Sequence, residues 1–111
     1  MRIEQAWLRL RAGDRIRNAH WAEEMWIVLQ EGYPEGIPIN ANTARATHIP
    51  EGTVKAFRPY IMLHCVDGSF VPYVATQSDL LTEHWQVIHG DGTQDQYAVV
   101  IGRPLKDNPQ A

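Results

Sequence analysis

The chain has 111 residues, 44% of them hydrophobic and 21% charged, which suffices for one modest core and excludes a disordered or collagen-like polymer. Its formal net charge of -3 argues against a protein that coats long nucleic acid, because that affinity comes mostly from lysine and arginine displacing counterions; a small ligand with one or two phosphates is not excluded. A single cysteine, Cys65, rules out an intrachain disulfide and suits a reducing cytoplasm, and no secretory pattern or bilayer-length apolar run is present.

Ile3, Ala6, Trp7 and Leu10 recur at helical spacing, with Glu4, Gln5, Arg9 and Arg11 between them and Gly13 placed to end the run. This predicts a helix over Ile3–Ala12 that buries Trp7. Asp14 to Asn18 alternates charge around Ile16 and reads as a weak strand, whose Arg15 and Arg17 form either a phosphate clamp or the wet side of a sheet. Met25 to Gln30 is an apolar run of strand length. Trp21 lies in the polar connection between these strands, where its ring either stacks on a nucleobase or folds back over the core as a plug. Trp26 begins the apolar strand and reads as core, with stacking as the alternative.

Glu31 to Ala56 holds Gly32, Pro34, Gly36, Pro38, Pro50 and Gly52 with few large apolar residues, so it reads as an extended irregular loop: a lid, a partner contact or a floppy connection. Arg58, directly before Pro59, offers charge to a phosphate, or is an ordinary solvated arginine at a strand start.

Asp67-Gly68 between two apolar runs predicts a two-residue type I′ hairpin that pairs Val66 with Ser69 and Leu63 with Pro72. Pro72 then occupies a non-hydrogen-bonded site, so its missing N–H falls on the outer side of an edge strand. Thr76-Gln77-Ser78-Asp79 is a T-x-x-D variant of the capping box, and a helix start of this kind exposes N–H groups that attract anions. Leu80, Leu81 and Trp85 give the short helix one apolar face, and Trp85 to Ile88 returns as a last core strand. Beyond His89, Gly90-Asp91-Gly92 reads as a turn and Tyr97 to Ile101 as an edge strand or a subunit contact.

These elements predict an α+β fold: a single domain over residues 1–90 with two short helices on an antiparallel sheet of about five strands, a tail over 91–111, and assembly as a dimer or tetramer. No CxxC or HExxH is present and the five histidines share no ligand spacing, so neither a metal nor a cofactor is expected. Cys65 has no assignable base, and Ser78, Asp79 and His84 crowd one short helix without triad geometry, so no catalytic residue is expected.

The succession of IEQAWLRLRAG, DRIRNAHW, MWIVLQ, a proline-rich loop closing in IPEGTVKAFRPYI, and VPYVATQSDLLTEHW resembles the phage Thoeris anti-defence proteins of the second type, from Ile3 to Ile88. VPYVATQSDLLTEHW is its most specific part, with Tyr73 standing where the family pattern has tryptophan and so keeping an aromatic face. The resemblance implies a sponge: a homodimer or homotetramer in the cytoplasm of the infected bacterium that binds a cyclic ADP-ribose isomer, or in some relatives cyclic dinucleotides, without making or breaking a bond. It also implies ligand-binding roles for Trp21, Trp26, Pro72, Tyr73, Thr76, Gln77 and Asp79, beside which Arg58 offers charge. A protein-interaction module without a small-molecule ligand, and a small nucleotide hydrolase, are the rival readings.

Overall fold

The computed structural model describes residues 1–89, which form two compact units: Met1–Leu29 with the chain from Ile61 onward, and Gln30–Tyr60. In chain order the elements are α1 (Ile3–Arg11), β1 (Arg15–Asn18), β2 (Trp26–Gln30), β3 (Tyr33–Pro38), α2 (Ala41–Thr47), β4 (Val54–Phe57), β5 (Tyr60–His64), β6 (Phe70–Pro72), α3 (Gln77–Leu81) and β7 (Trp85–Ile88). An antiparallel five-stranded sheet runs in the order β6-β5-β2-β1-β7, and β3 pairs with β4 as a separate two-stranded ribbon. The expected α+β class and five-stranded sheet are present, with a third helix and a second sheet in addition. Among the described residues no helix is long and apolar enough to cross a membrane. The expected turn and strand beyond His89 lie outside the described residues.

The core of the larger unit forms where α1 lies on one sheet face. Ile16 is paired with Ile27 on one side and Val87 on the other, and these three side chains meet Ala6, Leu10 and Trp85 in one buried cluster. The helix ends as its sequence predicts, with Ala12 as C-cap and Gly13 at φ 96. Trp7, however, is 42% exposed and does not belong to the core. The buried stripe is centred on Ala6 and Leu10, so Trp7 falls on its flank and instead takes the Arg11 guanidinium over its ring at 6.0 Å. Leu80 and Leu81 are likewise exposed; the five-residue α3 buries Asp79 rather than an apolar face.

The stretch read as an irregular loop is a folded β-α-β unit. Its prolines are tolerated because each strand of a two-stranded ribbon keeps one unpaired edge, where Pro34 and Pro38 in β3 cost less than they would in a central strand. The β3–β4 register shifts between Tyr33 and Ile37, and Gly36 at φ 99 lies within that irregularity. Asn40 caps α2, its side-chain oxygen accepting the Thr43 N–H at 2.9 Å.

The hairpin also differs from the expected register by one residue. Its loop has three residues: Gly68 N–H donates to the Cys65 carbonyl at 3.0 Å, and Cys65 N–H donates to the Ser69 carbonyl at 2.8 Å. A type I′ turn requires positive φ at both central residues, yet only Gly68 adopts it, so Asp67 instead accepts the Ser69 N–H and hydroxyl in a local turn. Met62 consequently faces Pro72 and His64 faces Phe70. Tyr73 N–H donates to the Ile61 carbonyl at 2.9 Å, so the alternation leaves Met62–Pro72 as a non-hydrogen-bonded pair. The proline's missing donor does fall on the outer side of β6, which has no neighbouring strand among the described residues.

Candidate functional site

Four of the residues marked in the sequence are drawn together beside the core of the larger unit. Thr76 caps α3, its hydroxyl accepting the Asp79 N–H at 3.0 Å, and the Asp79 carboxylate accepts the Thr76 N–H at 3.4 Å in return. The same carboxylate accepts the Tyr73 hydroxyl at 2.6 Å and the Asn18 side-chain amide at 3.4 Å, while the Asp79 carbonyl accepts the Trp85 indole N–H at 3.1 Å. Burial and the neighbouring Asp79 carboxylate together push the Tyr73 phenol well above its ordinary value. Trp21 packs edge-on to Trp85 at 5.2 Å and to Tyr73 at 5.8 Å, half-buried at the margin of the core.

The connection carrying Trp21 is held from below by Arg17. This arginine is buried, and its guanidinium donates to the Trp21 and Ala22 carbonyls and to Gln86 Oε1. It is therefore an internal clasp, neither a solvated arginine nor a free phosphate clamp. Asp79 is similarly committed, to neutral donors of its own unit.

Trp26 belongs to a different cluster. Its ring stacks on His64 at 4.6 Å with planes 2° apart, meets the edge of Phe70 at 6.0 Å, and carries the Arg15 guanidinium at 5.2 Å. The one-residue change in hairpin register is what puts Phe70 opposite His64 and so completes this group. Pro72 lies on the edge strand and Gln77 is exposed at the first position of α3.

Arg58 is placed elsewhere, in the Gln30–Tyr60 unit. There a cleft of about 520 Å³ is lined by Gln30, Gly32, Tyr33, Ile37, Pro38, Ile39, Asn40, Thr43, Phe57, Arg58 and Tyr60. That volume is within the usual range for small-molecule sites. Tyr33 and Phe57 are cross-strand partners in the β3–β4 ribbon; these two rings and that of Tyr60 remain 52%, 39% and 45% exposed. Gly32, at φ 71, lets the chain pass close beneath the next strand: a Cβ there would lie 2.5 Å from the Phe57 carbonyl oxygen and 2.9 Å from that of Arg58. The Arg58 guanidinium is exposed and makes no ion pair among the described residues.

Of the cleft residues, sequence reasoning identified only Arg58. Tyr33, Asn40 and Thr43 lie in the segment that reads as irregular, where the capping pair Asn40 and Thr43 is a local signal of order, and Phe57 and Tyr60 follow it with no motif to mark them as ligand-facing. The cleft offers stacking surfaces, one cationic fork and several neutral hydrogen-bonding groups, a set suited to a planar anionic ligand.

A search of curated proteins found no match to this chain. The family model of the Tad2-like domain, described as the Thoeris anti-defense 2-like domain, matches residues 1–88, which end where β7 ends. With the match spanning more than half of the chain, the chain belongs to the phage Thoeris anti-defence family of the second type, and its role is anti-defence.

Proposed function

We propose that the chain acts against Thoeris by binding and withholding a cyclic nucleotide signal, a cyclic ADP-ribose isomer or a related cyclic dinucleotide, in the cleft of the Gln30–Tyr60 unit. The observation that carries this reading is the convergence of three half-exposed rings, Tyr33, Phe57 and Tyr60, with the exposed Arg58 guanidinium around one cavity. Each part of a nucleotide has a counterpart there. The rings offer faces to the base, Arg58 a planar donor fork to phosphate, and Asn40 and Thr43 hydrogen-bonding groups to ribose hydroxyls. Among the described residues the lining holds no carboxylate or imidazole, the side chains that most often serve as general acids and bases.

Withholding a signal requires tight binding. A Kd of about 1 nM corresponds to roughly 12 kcal/mol, whereas stacking contributes about 1–3 kcal/mol per base, so several of these contacts must act together. We further propose a homodimer or homotetramer working in the infected cell's cytoplasm; the outer edge of β6, which has no neighbouring strand among the described residues, and the exposed Phe70 and Val71 support such association.

The test is to incubate purified protein with cyclic ADP-ribose isomers and cyclic dinucleotides, remove free ligand, denature by heat and identify what is released. The proposal predicts intact ligand, with retention reduced at least about tenfold by Arg58→Ala, a loss of the size expected for one charge-assisted contact. Release of an altered ligand would establish a hydrolase, and no retention would favour a protein-interaction module.

A further inference from the structure

The fold brings together two imidazoles that are distant in sequence. Ala19 N–H donates to the His84 carbonyl at 2.8 Å, extending the β1–β7 ladder one rung beyond the Asn18–Trp85 pair. His20 N–H donates to Asn18 Oδ1 at 2.9 Å, and His84 N–H donates to Thr82 Oγ1 at 3.2 Å. Both ring-bearing backbones are thereby fixed. The ring centroids stand 5.2 Å apart with planes at 88°.

Both side chains are exposed, and none of their ring nitrogens has a hydrogen-bond partner among the described residues. His64 differs, since its Nδ1 lies 2.8 Å from the Glu24 carbonyl oxygen. A neutral imidazole with no other partner keeps an in-plane lone pair for a metal. Two imidazoles bound to one tetrahedral ion at about 2.0–2.1 Å hold their ring centres roughly 5 Å apart. The observed separation matches this, and the perpendicular planes are compatible with it because the ion need only lie in the plane of each ring.

We propose that His20 and His84 form a two-imidazole site for a late divalent transition metal such as Zn²⁺ or Cu²⁺. Nitrogen ligands select these ions over Mg²⁺ and Ca²⁺, which prefer oxygen. Among the described residues no group of three or more His, Cys, Asp or Glu gathers around one ion, so two positions of a tetrahedral metal remain for water or an oxygen anion. His20 immediately precedes Trp21, which gives the site an optical reporter that does not depend on nucleotide binding.

The experiment titrates tag-free protein at pH 7.5 with CuCl₂ and with ZnCl₂, following heat by calorimetry and, for copper, indole fluorescence. Expected are saturable binding of one ion per chain and copper quenching that EDTA reverses. His20→Ala and His84→Ala should each weaken binding at least about tenfold, because either change removes the chelate, while His64→Ala should not. Circular dichroism confirms the fold of each variant, and His84→Gln replaces any alanine variant that fails to fold. Absence of saturable binding, binding unchanged in both variants, or loss in only one of them would overturn the proposal.

Discussion

The Asp79 carboxylate is buried without an ion-pair partner among the described residues and is held by neutral donors on Tyr73, Thr76 and Asn18. Truncating it leaves a phenol and an amide without their acceptor and removes half of a capping box. Asp79→Ala should therefore cost about 2–4 kcal/mol in urea unfolding. Tyr73 provides an independent reading of the same contact. Its phenol is raised above the ordinary value near 10, so the neutral hydroxyl is the form that the folded state favours. That stabilisation is fully present below about pH 10 and is lost as pH rises through the higher folded value. In an absorbance titration a late phenol ionisation should appear above the ordinary tyrosine range, and Tyr73→Phe should remove it; a late step unchanged in that variant, or no late step at all, would contradict the contact.

At the scale of elements, the ribbon of β3 and β4 depends on Gly32 as much as on its side-chain pairs. Any side chain there would meet the Phe57 and Arg58 carbonyls at a backbone angle that favours glycine. Gly32→Ala should accordingly destabilise the ribbon by more than about 1 kcal/mol and lower ligand retention, as read by unfolding and by heat release. Legibility in the sequence followed element type. α1 could be read because its helical period extends over about two and a half turns, although the flank position of Trp7 depended on how narrow a stripe the sheet covers. β3, α2 and β4 could not, because each is short, and prolines that signal irregular chain also fit an edge strand. The Asp67-Gly68 signal correctly located the hairpin but not its loop length, since Gly68 alone takes positive φ.

Across the whole molecule, the sequence pointed to nucleotide binding through Trp21, Tyr73, Thr76 and Asp79, and these residues do assemble, but largely by satisfying one another. Packing order and hydrogen-bond commitment are consequences of the tertiary fold, which spacing alone does not reveal. The cleft of the Gln30–Tyr60 unit, by contrast, presents partly exposed rings and an exposed guanidinium that makes no ion pair among the described residues. The most direct measurement is a residue-resolved NMR map of the protein titrated with the cyclic nucleotide that it retains. A guest held in the cleft should give the largest shifts at Tyr33, Asn40, Phe57, Arg58 and Tyr60; shifts confined to Trp21, Tyr73 and Thr76 would place it elsewhere and contradict binding in the cleft.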